Sequence, residues 1–309
     1  MMSYSIRKIL LAVADASAKP AITRAAMMAR RANARIELYS VVKPANPFIT
    51  TRAKARDASG ARLEHRLREL EVVAGRLRAD GIRVSCEADL EHSPAEGILR
   101  RIKVSRPDLV IIQAHKHNLL ARLMLSQTDF DLIRRCPVPL LIVKTALTEG
   151  RRPALLAALD PWRVGGKPAA LDTQLVEVAR AVAMGMGGKL HAAHVHAPPM
   201  QYEADSVLAP VLVPVSPAER KRYVAAVRRR FRALGKRLEI ASKNLHLRLG
   251  DPSLELPELV RSLKIDTLVM GAVSRSVVNR ILLGSTAERV LDALPCNALI
   301  VKPKGFRAR

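Results

Sequence analysis

Residues 271–286 read GAVSRSVVNRILLGST, a glycine-rich turn and a Gly-Ser-Thr turn separated by a short basic, apolar stretch. Glycine lets backbone N–H groups approach an anion with no side chain in the way, so this arrangement suits an anion-binding pocket. The same frame stands at residues 113–128 as QAHKHNLLARLMLSQT, with its glycines replaced. The recurrence extends well beyond the motif. Asp266, Gly284, Pro295 and Lys302 stand 158 positions after Asp108, Ser126, Pro137 and Lys144, and Pro252 stands 158 after Pro94. A constant offset of this kind marks an internal duplication.

Working outward from the motif, each copy holds five strand-length apolar runs. In the first they are Ile9 to Ala14, Ile36 to Val42, Ile82 to Ala88, Leu109 to Ala114 and Leu140 to Val143. In the second they are Ala154 to Leu159, Leu190 to Val195, Leu245 to Leu249, Thr267 to Met270 and Ala298 to Val301. Nearly continuous Val, Ile and Leu is what strands covered on both faces require. Helical stretches lie between them; Leu63, Leu67, Leu70, Ala74 and Leu77 form one apolar stripe among Arg and Glu. The alternation predicts an α/β protein of two tandem, doubly wound, five-stranded parallel sheets with right-handed crossovers, a Rossmann-like architecture. The domains are expected over 1–147 and 152–305. The join, Thr145 to Pro153, is too short for a free tether, so the two units should pack as an intramolecular pseudo-dimer. Asp160 follows Asp15 by only 145 positions, so copy two carries 13 extra residues before Pro252. They fit best in the apolar, Pro-rich segment at 196–217, which either covers the pocket, docks on the other copy or packs on its own helix.

The chain has 309 residues and a net charge of +24, a field that draws nucleotides, nucleic acid or anionic lipid. Because the Arg residues are spread along the chain, a generally basic surface is favoured over a dedicated nucleic-acid face. Aromatic residues at 3% argue against base-stacking platforms. Cys86, Cys136 and Cys296 are odd in number and lack metal spacing, which fits a reducing cytoplasm. Cys136 and Cys296 beside prolines read as small buried hydrophobes. No segment reaches about 18 uninterrupted apolar residues, so no membrane span is expected.

In open parallel sheets, ligands bind beyond the carboxyl ends of strands where the winding reverses. Asp160, Val195 and Met270-Gly271 close the first, second and fourth strands of copy two, and Asp15 and Val41 hold such places in copy one, where Asp15 also suits a helix cap. Gly284-Ser285-Thr286 opens a helix with its apolar face at Ala287, Val290, Leu291 and Leu294. Free N–H groups there would receive a phosphate, or Ser285 or Thr286 would serve as the N-cap. No Lys follows the glycine, so this is not a Walker-type loop, and no catalytic base or nucleophile is indicated. His191, His194 and His196, with His115 and His117, suggest metal; alternation places only His194 and His196 on one face, so backbone-satisfied histidines are the better reading and no metal site is assigned.

The segment from Asp266 to Lys302, DTLVMGAVSRSVVNRILLGSTAERVLDALPCNALIVK, resembles the ATP-binding signature of the universal stress protein family, G-x-x-G-x9-G-[ST], together with the helix and strand after it. Both copies resemble that family over nearly the whole chain, as in its tandem members. The resemblance implies an adenine nucleotide alpha hydrolase-like fold and a cytoplasmic, ATP-binding stress protein. Asp160 and Val195 would lie on the adenine side, Met270 and Gly271 beside the ribose and first phosphate, and Gly284, Ser285 and Thr286 on the phosphates. Ser274 stands where the family has its second glycine. In copy one the matching positions are Gln113, Lys116, Ser126 and Gln127, so backbone approach should be blocked there; Lys116 reads as a solvated loop lysine. The family further implies that occupancy alters the surface offered to a protein partner, with a homodimer among the assemblies to test. A nucleotide-free scaffold, or slow hydrolysis or autophosphorylation with magnesium on Ser285 or Thr286, are the alternatives.

Overall fold

The computed structural model describes residues 4–14, 18–45, 52–114, 125–148, 150–161, 168–203, 211–271 and 284–306. The first unit runs β1 (Lys8–Ala12), α1 (Lys19–Ala32), β2 (Arg35–Val42), α2 (Arg52–Ala79), β3 (Val84–Leu90), α3 (Pro94–Ser105), β4 (Leu109–Gln113), α4 (Gln127–Arg135) and β5 (Leu140–Val143). The second runs β6 (Ala154–Ala158), α5 (Pro168–Gly185), β7 (Lys189–His196), β8 (Met200–Glu203), β9 (Val211–Pro214), α6 (Pro217–Arg237), β10 (Leu245–Leu249), α7 (Pro252–Ser262), β11 (Thr267–Gly271), α8 (Ser285–Ala293) and β12 (Asn297–Val301). Each of the ten apolar runs overlaps a strand, within two residues at either end. The 196–217 segment, read from sequence as a long insertion, contains the antiparallel β8–β9 hairpin.

The strand order is β10-β7-β6-β11-β12-β5-β4-β1-β2-β3, so the two halves merge into one ten-stranded sheet. All neighbours within a half are parallel, and the halves meet where β5 pairs antiparallel with β12. Leu141 lies opposite Leu299, its own counterpart 158 positions on, flanked by Ile142 opposite Ala298 and Leu140 opposite Ile300. A pseudo-two-fold axis therefore passes through the Leu141–Leu299 pair. The residues of β5 and β12 are buried throughout, as central strands must be. β3 forms an outer edge and alternates exposed and half-buried positions.

Two apolar layers cover the sheet, one built with α1, α2, α5 and α6, the other with α3, α4, α7 and α8, and each draws on both units. Only the C-terminal part of the α2 stripe reaches this core: Leu70, Ala74 and Leu77 are buried, while Leu63 and Leu67 stay half-exposed. Helices α1 and α5 approach closely enough that a Cβ on Gly185 would come within 3.0 Å of Met28 Cγ. The thiols of Cys136 and Cys296 are buried and free, and burial pushes both up to about 12, as small apolar fillers should behave.

A polar frame locks the seam. Arg24, wholly buried on α1, donates to both carboxylate oxygens of Asp266 at 2.9 and 2.8 Å and to the Thr145 carbonyl at 3.0 Å. The Asn297 Oδ1 accepts from the Lys144 and Thr145 backbone N–H groups at 2.8 and 3.0 Å, and its Nδ2 donates to the Asp266 carbonyl at 2.8 Å. The join between units is thus pinned from both sides. Lys144, also buried, reaches from the first unit to the Leu291 and Leu294 carbonyls at the C-terminal end of α8, where a cation opposes the helix dipole. Its repeat counterpart Lys302 is equally buried, and burial pushes its ammonium down to about 8.

Removing one member of a buried charged pair leaves the other uncompensated. Arg24→Met should therefore lower unfolding stability by about 3–5 kcal/mol in urea titrations, and adding Asp266→Asn should restore much of it. A loss below about 1 kcal/mol in the single variant would show that the pair does not hold the seam.

Candidate functional site

In the second unit the chain leaves β6 for β7 and β10 on one side, then returns to β11 and β12 on the other, so the winding reverses between β6 and β11. The register pairs Ala157 with Val269 and Ala158 with Ala193. Continuing those registers brings Met270 and Gly271 beside the end of β6, and Val195 beside Asp160. Three of the sequence-selected strand ends thus share one edge of the sheet, which is where such folds place ligands. Asp160 is half-buried, and its backbone N–H donates to Asp172 Oδ1 on α5 at 3.4 Å. Met270 is buried in the core and Val195 packs at its margin. Gly271 has a packing role as well: a Cβ there would meet Leu171 Cδ2 at 3.2 Å. Ser274 lies outside the described residues.

Gly284 is the N-cap of α8, with extended φ and ψ of −66° and 141°, and among the described residues no side chain caps this helix. Ser285 and Thr286 are its first two residues, so Ser285 is not the N-cap. Among the described residues, nothing lies within 4 Å of a Cβ built on Gly284. The first-turn N–H groups and the positive dipole end lie at this end of the helix.

The equivalent helix end in the first unit is closed by its own sequence. Ser126 Oγ accepts from the Asp129 N–H at 3.2 Å, while Asp129 Oδ2 accepts from the Ser126 N–H at 2.7 Å, a complete capping box. The residue 158 positions after Asp129 is Ala287. Unit one therefore holds a carboxylate at this helix end, and unit two has a methyl group at the matching position. The Ser-x-x-Asp spacing at 126–129 was readable in the sequence, but comparison of the glycines alone passes over it. Gln113 Oε1 accepts from the Ala21 N–H at 3.2 Å. The N-cap of α1 is Ala18, so Asp15 does not occupy that position; Asp15 and Lys116 lie outside the described residues. Among the described residues of the first cleft a cavity of about 120 Å³ is lined by Ala12, Val13, Tyr39, Val41, Gln113 and Asp129 among others.

In unit two Pro198, Pro199, Met200 and Val215, at the ends of the 196–217 segment, line a groove of about 790 Å³ together with Val224 and Arg228 of α6. His194 and His196 stack on one face at 6.0 Å between ring centroids, and the His194 Nδ1–H donates to the Leu159 carbonyl at 2.9 Å. His191, on the other face, pairs with His246 across β7 and β10 at 3.1 Å. Among the described residues no group of three or more His, Cys, Asp or Glu could hold a metal; His115 and His117 lie outside them. Among the described residues, too, no helix is long and apolar enough to cross a membrane.

The sequence profile of the Universal stress protein family matches residues 5–144 and 164–302. Universal stress protein E of Salmonella typhi is 25% identical over 310 residues, covering 94% of this chain and 91% of that one. A homologue of the same protein from Haemophilus influenzae is 27% identical over 218 residues, covering 68% and 66%. Among solved structures, a protein from Pseudomonas aeruginosa PAO1 aligns with a TM-score of 0.75 at 23% identity, covering 97% of this chain and 94% of that one. A universal stress protein from Archaeoglobus fulgidus aligns at 0.66 and 18% identity, covering 98% of both.

Burial lowers the pKa of His191, His194, His196 and His246. The folded state therefore binds fewer protons than the unfolded chain, so stability is full above the ordinary histidine value of about 6.5 and declines as pH falls below it. Denaturant midpoints should drop between pH 7.5 and 5.0, and replacing His191 and His246 together by Gln should shrink that drop. An equal drop in the double variant would assign the acid sensitivity to other groups.

Proposed function

The chain belongs to the universal stress protein family, and on that premise we propose that it is an ATP-binding stress-response regulator whose nucleotide sits in the C-terminal unit. In this reading, residues 152–305 sense the nucleotide, while residues 1–147 supply the sheet partner and an interaction surface. The observation that carries it is the contrast between the two matching helix ends. α4 is sealed by Ser126 and Asp129, whereas α8 begins at Gly284, which brings no side-chain cap, and no described residue lies within 4 Å of a Cβ built there. A bare helix N-terminus beside the switch point of a parallel sheet favours a phosphate.

Asp160 and Val195 are assigned to the adenine side, Met270 and Gly271 to the ribose and first phosphate, and Ser274, Gly284, Ser285 and Thr286 to the remaining phosphates. Magnesium, where the nucleotide carries it, would sit by the Ser285 or Thr286 hydroxyl. The role is binding rather than turnover: occupancy changes the loop surface that a protein partner meets. The apolar cleft of unit one, closed to phosphates by Asp129, fits the supporting half of such a pair.

Two measurements test this. Acid extraction of the purified protein should release adenine nucleotide, and ATP at 100 times its Kd should stabilise the protein by about 2.7 kcal/mol. An empty extract with no thermal shift would favour the nucleotide-free scaffold. Gly284→Ser combined with Ala287→Asp rebuilds the unit-one capping box on α8; it should raise stability by about 1 kcal/mol and abolish ATP binding. Native-like ATP affinity in that variant would remove the phosphate assignment.

A further inference from the structure

Helix α6 carries nine Lys and Arg residues against one acid, Glu219, which is engaged in the N-terminal capping box with Ser216. Its equivalent in the first unit, α2, likewise lies between the second and third sheet strands of its half and on the same layer but carries eight cations against four acids. On α2 these charges neutralise one another, as in the Arg66–Glu69, Arg68–Glu64 and Arg78–Glu71 pairs. On α6 the residues Lys221, Arg222, Arg228, Arg229, Arg232 and Lys236 are all exposed, and none of the six forms an ion pair among the described residues. Like charges one turn apart, at Arg228, Arg232 and Lys236, work against the helix itself. Val227, Phe231 and Leu234 hold it on the core. General basicity of the chain would act on both helices alike; the excess is confined to one of two equivalent positions.

We infer that the outward face of α6 binds the phosphate backbone of duplex nucleic acid without reading its sequence. Lys221, Arg228, Arg232 and Lys236 recur on one face over about 22 Å of helix, the axial length of roughly six base pairs. Arginine supplies seven of the nine cations, and its fork of donors suits phosphate oxygens. Two features separate this partner from other polyanions. Val227, Phe231 and Leu234 turn inward, Val224 is half-buried, and the exposed hydrophobics of α6 are only Ala218, Ala225 and Ala233, so the helix has no exposed bulky wedge for a membrane surface. Tyr223 packs against His196 at 5.6 Å between ring centroids, so it offers no platform for unpaired bases.

The test uses the full chain and a fluorescein-labelled 20-base-pair DNA duplex of mixed sequence, read by anisotropy at several salt concentrations. With about five phosphates neutralised, the slope of log affinity on log salt should be about −4.5, or several hundredfold between 50 and 200 mM salt. Arg228→Glu, Arg232→Glu and Lys236→Glu together should weaken binding more than a hundredfold at 50 mM salt with the circular dichroism spectrum unchanged. The control reverses Arg56, Arg62 and Arg76 on α2 to Glu, the same change in net charge, and should weaken binding less than threefold. Equal losses in the two variants would trace the effect to overall charge and overturn the assignment. So would the absence of duplex binding at 50 mM salt, or binding confined to phosphatidylglycerol vesicles.

Discussion

The antiparallel pairing of β5 with β12 is the constraint on which the rest of the molecule depends. Each half, taken alone, would end in a largely apolar edge strand, LLIV in one and NALIV in the other, with unpaired backbone groups along it. Joining the two edges removes both liabilities at once. It also aligns the helical layers of the halves, so that each apolar layer runs unbroken across the seam. Arg24 can be buried only because that alignment delivers Asp266 and the Thr145 carbonyl to its guanidinium.

Across the pseudo-two-fold axis the apolar pairings have remained alike while the polar positions have diverged. Leu141 still faces Leu299, but Asp108 and Asp266 have taken different partners. Asp108 accepts from the Arg7 and Lys8 backbone N–H groups at 2.8 and 2.9 Å, holding the start of its own first strand, whereas Asp266 takes Arg24 from the other half. Asn297 bridges to Lys144 and Thr145, while the residue 158 positions before it is Pro139, which has no side-chain polar group. The same divergence separates Asp129 from Ala287 at the helix ends. Asymmetry in ligand binding, as proposed, is one expression of a broader polar divergence on a conserved apolar frame.

The strands were legible because burial on both faces leaves a simple trace, runs of Val, Ile and Leu, and the duplication fixed their order through its constant offset. The edge-to-edge union was not, since nothing in an apolar run says which of its neighbours belongs to the other half. Arg24 was hidden for a related reason: it sits on a helix among Arg30 and Arg31, and its partner lies 242 residues away. The strand-end positions Asp160, Val195, Met270 and Gly271 followed from motif and topology together. The contrast between Asp129 and Ala287 needed attention to the third residue after each cap. The excess charge of α6 averages away in a net count and shows only when two equivalent helices are set side by side.

The shared sheet has a last consequence, for regulation by abundance. Two separate chains that paired through β5 and β12 edges would assemble only above some cellular concentration, and any site shaped by that pairing would weaken as the protein became scarce. Fusing the halves makes the partner edge permanently local, at an effective concentration set by a short, pinned connection. The geometry around Gly284 is then the same for the first molecule synthesised as for the thousandth, so the proposed site would report its ligand alone.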